Sequence, residues 1–406
     1  MRFSHVYFAF AAGYLLSYVY RTINAVISPD LVRDLDLVPS SLGLLTSAYL
    51  LAFGLFQLPV GILLDRYGPR RVEPALLVVA AVGSALFAMA ESLAGLTLAR
   101  AIIGAGVCAA LMAPLKALAV WYPPDRQASY AGWIMVAGGV GALTSTVPIE
   151  LALRVSHWRV VFAVLSVITL AAALAIFLRV PDIPTRRGAT LRAQVAETQA
   201  IFRSARFWWI APLGAIAMGT FMAVQGLWAM PWLMEVAGYT RATAATYLLV
   251  IGSVSMVGYL GIGTFARRMA GHGIHAPHLF GGGFALGFLA LLLIVLEVPG
   301  SLLWWALFGF GASGNVLGFT ALNEGFSREL AGRVSTSLNL LMFAGSFSVQ
   351  WGVGLLVDAV RAAAGASTAE GLRVAFSVVL VFYALAFAWY VRGFRRHGPA
   401  TSAFAT

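Results

Sequence analysis

The sequence contains few charged residues. Only 11% of its 406 residues are charged, 60% are hydrophobic, and the mean hydropathy is +0.86. Soluble domains carry roughly 25% charged residues, so a water-soluble globular protein is excluded. The chain has one cysteine, Cys108, which excludes a disulfide framework and a cysteine metal cluster. Redox chemistry is therefore not indicated, and we expect no cofactor.

Long apolar stretches take the place of the missing charge. Stretches of roughly 20 residues, enough to cross about 30 Å of hydrocarbon, recur along the whole chain. They lack the period-two alternation of barrel strands, so helices are predicted. We read twelve spans, near residues 4–28, 41–64, 73–92, 94–120, 128–153, 158–180, 208–235, 242–266, 278–296, 301–322, 334–357 and 371–392. The predicted fold class is an all-α polytopic membrane protein with twelve transmembrane helices.

The basic residues indicate how the chain is oriented. The net charge of +11 comes mainly from arginines in alternate joints between spans. This is a positive-inside bias rather than a nucleic-acid-binding face, so both termini are predicted to be cytoplasmic and no nucleic acid partner is expected. The longest polar segment divides the chain into two similar halves. We predict six-helix bundles at 1–180 and 208–394, a cytoplasmic linker at 181–207 and a tail at 395–406.

One loop carries a specific motif. The segment Gly61-Ile-Leu-Leu-Asp-Arg-Tyr-Gly-Pro-Arg-Arg71 lies at the inner end of the second span. It resembles the signature loop of the major facilitator superfamily, and the two halves fit that family's repeats. The resemblance implies a latch that holds the halves in an outward-open state, with Gly61 allowing close helix packing and Asp65 facing a helix N-terminus. The implied latch residues are Gly61, Asp65, Arg66, Gly68, Arg70 and Arg71. The alternative is an ordinary positive-inside loop.

A second family element lies in the fourth span. Arg100, Gly104 and Gly106 are similar to the superfamily's arginine-x-x-x-glycine-x-glycine pattern. An arginine inside a span costs about 2.5 to 3.5 kcal/mol on insertion, so it normally faces a cavity or a partner. We add Arg100 to the predicted latch, with snorkelling to the outer interface as the alternative.

Span one holds the best candidates for a binding site. Tyr14, Tyr18, Arg21 and Asn24 follow at spacings of four, three and three, which suggests one helical face. Tyr18-x-x-Arg21 followed by Pro-Asp-Leu at 29–31 resembles the organic-anion and organophosphate symporter branches of the superfamily. The resemblance implies that Arg21 grips a substrate carboxylate or phosphate, assisted by Tyr18 and Asn24. The alternative is that Arg21 is a structural partner of a neighbouring helix.

Other polar residues in the family's cavity-lining spans extend this site. We predict substrate contacts from Lys116, Gln225, Trp228 and Asn315, while span eleven adds Asn339 and Gln350. Lys116 could instead snorkel, and buried amides also join helices. No acidic residue lies near the middle of these spans, and an uncompensated buried cation favours an anionic substrate. The carboxylates left for proton coupling are peripheral, so coupling stays open.

These features predict a secondary active transporter in a bacterial inner membrane. Its expected partners are a small organic anion and the lipid bilayer, with protons left open, and we expect a monomer. No nucleophile–base pair, metal cluster or phosphate loop points to an enzyme. Met230 and Met234 resemble the methionine pair of copper importers in the superfamily, so Cu(I) handling is one alternative. A non-transporting receptor or assembly factor with the same fold is another.

Overall fold

The computed structural model describes residues 3–122, 124–182, 199–326 and 330–397. In the first half, the helices are α1 (Phe3–Leu35), α2 (Pro39–Tyr67), α3 (Pro69–Met89), α4a (Leu93–Gly106), α4b (Met112–Trp121), α5a (Pro124–Thr144), α5b (Val147–Leu153) and α6 (Trp158–Arg179). In the second half, they are α7 (Ala205–Val236), α8 (Arg241–Ala270), α9 (Ala276–Val295), α10a (Ser301–Ala312), α10b (Asn315–Asn323), α11 (Ala331–Ala364) and α12 (Thr368–His397). Each predicted span corresponds to one helix or one broken helix.

The helices have the length and composition of membrane spans. Within the described residues, ten are long and apolar enough to cross a membrane, and α4a is a shorter apolar helix. Helix α1 is 33 residues long but is not among the ten, because its tyrosines and charged residues lower its hydropathy. Outward-facing side chains of α6 are apolar along its length, including Val167 (66% exposed) and Leu178 (68%). Such a surface suits lipid rather than water.

Matching glycine contacts hold each half together. A Cβ on Gly104 of α4a would collide with the carbonyl oxygen of Tyr49 on α2, and Gly309 of α10a approaches Ile251 of α8 in the same way. A Cβ on Gly141 would likewise collide with the backbone of α1, and one on Gly345 with the backbone of α7. Small residues let helix backbones approach closely in membranes. The packing of α4a on α2 in the first half is therefore repeated by that of α10a on α8 in the second. The packing of α5a on α1 is likewise repeated by that of α11 on α7.

The predicted domain boundaries remain predictions. The linker 181–207 lies outside the described residues over 183–198, and the tail 395–406 lies outside them from 398 onwards. The cytoplasmic location of both termini is likewise a prediction, which rests on the positions of the arginines.

The two halves meet at one end of the bundle, which we call the closed end. There, Nη1 of Arg241 on α8 donates to Oδ1 of Asp30 on α1 over 3.1 Å. The backbone N–H of Ser40, in the first turn of α2, donates to Oδ2 of Asp358 on α11 over 2.9 Å. A carboxylate at a helix N-terminus satisfies a free N–H and complements the helix dipole. The closed end lies opposite the chain termini, because α1 runs away from the N-terminus and turns into α2 near residue 36.

Candidate functional site

A central cavity of about 870 Å³ lies between the halves. Helices α1, α2, α4b and α5a line it on one side, and α7, α8, α10b and α11 line it on the other. It extends from Gln350, near the closed end, to Asp65 and Arg333, in the last turn of α2 and the first turn of α11. The cavity therefore reaches the end that carries the termini. Its volume lies within the range of about 300–1,000 Å³ that is typical of small-molecule sites.

Arg21 lies among aromatic rings in this cavity. Its guanidinium carbon is 4.6 Å from the ring centre of Tyr18, 4.7 Å from that of Phe53 and 5.7 Å from that of Phe343. We call these three rings, which come from α1, α2 and α11, the aromatic cage. Cations are attracted to the faces of such rings. The cage thus holds the cation with rings from both halves.

Nothing acidic among the described residues compensates the charge of Arg21. Its Nε is buried without a hydrogen-bond partner, and no carboxylate in this part of the chain forms an ion pair with it. Asp65 is the only acidic residue among the described residues that line the cavity. Its carboxylate contacts the ammonium group of Lys116. The middle of the cavity therefore carries an unneutralised positive charge.

The ion pair of Lys116 and Asp65 joins two residues that the sequence suggested for separate roles. Lys116 on α4b and Asp65 on α2 both line the cavity, and both are only partly buried. In this conformation Lys116 therefore neither snorkels alone nor offers a free charge to a ligand. Asp65 faces a lysine here, whereas the motif had implied a helix N-terminus.

The other predicted latch residues surround the junction of α2 and α3. Gly68 forms that junction with φ of 76°, a conformation that favours glycine. Arg70 and Arg71 reach Asp182, just beyond α6, at 3.3 and 3.5 Å. A Cβ on Gly61 would meet nothing within 4 Å. In this conformation, therefore, no helix among the described residues packs closely against Gly61, as the motif had implied one would. Arg66 lies over the ring of Tyr67 at 5.2 Å.

Arg100 is fully buried inside the first half. Its Nη1 donates to the carbonyl oxygen of Tyr20 over 2.7 Å, and its guanidinium carbon is 4.8 Å from the ring centre of Tyr49. It therefore ties α4a to α1 and α2, and does not snorkel. Its part in a latch remains a prediction.

Two predicted substrate ligands lie behind the cavity wall. Asn24 is buried and donates from Nδ2 to Oγ1 of Thr46 over 2.9 Å. Trp228 is buried and donates from Nε1 to the carbonyl oxygen of Gln350 over 2.9 Å. Neither lines the cavity, so a direct substrate contact from these two does not fit this conformation. The other predicted ligands, Tyr18, Arg21, Lys116, Gln225 and Asn315, all line it.

The methionines of the copper alternative are also absent from the cavity wall. Met230 is fully buried and Met234 is partly buried against the core, next to π-helical turns of α7. In the described part of the chain, no group of three or more histidine, cysteine, aspartate or glutamate residues could hold a metal ion. The position of the two methionines fits packing.

Two features of the structure are not among the residues that the sequence analysis selected. Phe53 and Phe343 build the aromatic cage, but a phenylalanine in an apolar span carries no signal of its own.

Glu73 of α3 is fully buried, and both of its carboxyl oxygens lack hydrogen-bond partners among the described residues. A Cβ on Gly13 would lie 2.6 Å from Oε1 of Glu73. An unpaired ionised carboxylate is very costly in such a place, so burial favours the neutral form of this carboxyl group.

Glu73→Gln is therefore expected to preserve both transport and thermal stability, because an amide of nearly the same shape replaces a neutral carboxyl group. Flux into proteoliposomes and a thermal unfolding scan measure the two quantities. Loss of proton-driven accumulation with intact exchange would instead make Glu73 the carrier of a coupling proton.

Known proteins resemble this chain in sequence. The model of the Major Facilitator Superfamily matches residues 10–350. The hexuronate transporter of Escherichia coli (strain K12) is 26% identical over 255 residues, covering 58% of this chain and 58% of that protein. The galacturonate transporter of Dickeya chrysanthemi is 26% identical over 231 residues, covering 52% of this chain and 67% of that protein. The chain thus aligns with less than two thirds of the length of the first of these relatives.

Solved structures share the fold. A bacterial homolog of the human lysosomal transporter Spinster, inward-facing and unoccupied, superposes with a TM-score of 0.80 at 18% identity, covering 97% of each chain. The POT family transporter PepTSo gives 0.78 at 13% identity, covering 98% of this chain and 99% of that one. Because the family model matches well over half of the chain, this chain belongs to the Major Facilitator Superfamily, and its relatives there are membrane transporters rather than enzymes.

Proposed function

We propose that this protein is a secondary active transporter that carries a sugar-acid anion across the bacterial inner membrane by alternating access. The observation that carries the proposal is the position of Arg21: its partly buried guanidinium lies in the central cavity, and no carboxylate of the described residues neutralises it. A charge in such a place requires a counter-charge. A substrate carboxylate supplies it and matches the planar fork of a guanidinium in a bidentate pair.

The shape of the cavity supports alternating access. The halves touch at the closed end, and the cavity reaches the end that carries the termini. With cytoplasmic termini, this arrangement is inward-open. Opening to the other side requires the contacts of Asp30 with Arg241 and of Ser40 with Asp358 to break. The hexuronate and galacturonate transporters among the relatives support sugar acids as the class of anion.

Uptake of labelled galacturonate into proteoliposomes tests this function. We expect saturable uptake that unlabelled glucuronate inhibits and that galactose, which has no carboxylate, does not. Repeating the assay with an imposed pH gradient decides whether protons drive accumulation. Equal inhibition by galactose, or no uptake of any sugar acid, would refute the proposal.

We expect Asp65→Asn to reduce transport strongly while the protein stays folded, because the change leaves the ammonium group of Lys116 unpaired and removes the acidic residue of the signature loop. Flux measures transport, and labelling of single cysteines introduced on each face of the Cys108→Ser protein measures the accessibility of that face. The double variant Asp65→Asn, Lys116→Met removes the unpaired charge as well. Full recovery of flux in the double variant would show that Asp65 serves only to pair Lys116.

A further inference from the structure

We propose that Gln350 of α11 is the residue that recognises the hydroxyl groups of the substrate. The proposal rests on the proposed function, and it assigns a second part of the same site. In this assignment Arg21 in the first half binds the carboxylate, and neutral amides in the second half bind the hydroxyls.

The amide of Gln350 is buried without partners among the described residues. Its side chain is fully buried, and neither Nε2 nor Oε1 forms a hydrogen bond there. A glutamine amide offers two N–H donors and an acceptor oxygen, and leaving them unsatisfied costs free energy. Gln57, another buried glutamine of the cavity wall, differs because its Nε2 donates to the carbonyl oxygen of Cys108 over 3.2 Å.

Gln350 lies where the closed end meets the cavity. Its carbonyl oxygen accepts the hydrogen bond from Trp228 of α7 and would lie 2.8 Å from a Cβ on Gly43 of α2. These contacts fix the backbone of α11 at this point. Gln350 is one of the residues that line the cavity, and its amide has no partner among the described residues.

The amide also lies close to the turn of α1 that carries Arg21. A Cβ on Gly226 of α7 would be 4.0 Å from Oε1 of Gln350 and 3.7 Å from the carbonyl oxygen of Arg21. Glycine at 226 thus leaves a gap between the amide and α1. Gln350 and Arg21, which come from different halves, therefore lie in the same region of the cavity wall.

A second amide points to the same chemistry. Oδ1 of Asn315 on α10b is buried without a partner in the described part of the chain, and Asn315 lines the cavity. Unsatisfied amides facing a cavity favour a ligand with both hydrogen-bond donors and acceptors, and a hydroxyl group is both. A cation in one half and open amides in the other therefore fit a polyhydroxylated carboxylate better than a plain one.

The test compares two ligands of the same ring size. Galacturonate carries hydroxyls and a carboxylate, whereas cyclohexanecarboxylate carries only the carboxylate. Binding of each to the purified full-length protein is measured by calorimetry. We expect the wild type to prefer galacturonate by at least about tenfold, because a site built to bond hydroxyls rejects analogues that lack them.

Gln350→Met removes the amide at similar volume. We expect it to weaken galacturonate binding by about tenfold, the loss expected for one well-made hydrogen bond to a buried group, and to leave cyclohexanecarboxylate binding unchanged. Asn323→Leu is the matched control, because Asn323 lies outside the cavity wall and its Nδ2 already donates to Oγ of Ser335 over 2.9 Å, and it should keep the wild-type preference.

The outcomes separate the two proposals. If Gln350→Met keeps the preference for galacturonate, the assignment of Gln350 is wrong while the proposed function stands. If the wild type binds both ligands equally, hydroxyl recognition fails whether or not the variant folds. If the wild type binds neither carboxylate, the proposed function fails as well.

Discussion

Replacing Arg21 with alanine is expected to reduce galacturonate transport at least about thirtyfold, because losing one partner of a buried, hydrogen-bonded charge pair costs about 2–5 kcal/mol. Thermal stability should stay near that of the wild type or rise, since the change removes a partly buried cation that has no ionic partner within the described residues. Flux into proteoliposomes and a thermal unfolding scan measure the two effects.

Arg21→Lys is the more informative companion variant. Lysine keeps the charge, but a single ammonium cannot form the planar bidentate pair with a carboxylate. Transport should therefore be weaker than in the wild type but stronger than in Arg21→Ala. The control is Arg373→Ala, which removes an exposed arginine whose ion pair with Glu297 lies within the second half. Normal transport by Arg21→Ala, or its failure to fold, would make Arg21 a structural residue.

Cross-linking the closed end is expected to stop transport almost completely and reversibly. Asp30 and Arg241 come from different halves, and their side chains meet over 3.1 Å. With cysteine at both positions, in a Cys108→Ser background, a short bis-methanethiosulfonate reagent would tie the halves together. Alternating access requires these halves to separate, so the tied protein should remain inward-open. A thiol reductant should restore flux, which is measured before and after reduction.

The chain offers a matched control for the cross-link. Glu297 and Arg373 also form an ion pair, over 2.6 Å, but both belong to the second half. Cysteines at these positions, treated with the same reagent, should leave transport intact because no moving surfaces are joined. Unimpaired flux after complete cross-linking of positions 30 and 241 would contradict the rocking of the halves about a central site.

The sequence predicted the helices well, because their boundaries depend on local hydropathy. It was less successful on which side chains face the cavity. Tyr18, Arg21 and Asn24 are spaced by three residues, and two such steps rotate a side chain by about 120° around a helix of 3.6 residues per turn. Asn24 therefore turns away from the side of Tyr18 and reaches Thr46 on α2 instead. The prediction that these residues share one face of α1 with Tyr14 was therefore wrong for Asn24.

Trp228 illustrates a different limit. Helix α7 contains π-helical turns at Val224–Trp228 and Trp232–Val236, each of which shifts the register of the residues that follow. The sequence shows no sign of these turns, so it could not show that Gln225 lines the cavity while Trp228 is buried behind its wall. The ion pair between Lys116 and Asp65 was beyond prediction for another reason, since it depends on how two distant helices pack.

The glycine contacts repeated in the two halves have an evolutionary consequence. Gly104 and Gly141 in the first half, and Gly345 in the second, press against backbone atoms of the neighbouring helix, and Gly309 approaches the carbonyl oxygen of Ile251 more closely than any side chain. Packing of this kind places few demands on the residues around it. A duplicated six-helix unit can therefore keep its architecture while each copy specialises, one acquiring a cation such as Arg21 and the other a set of neutral amides.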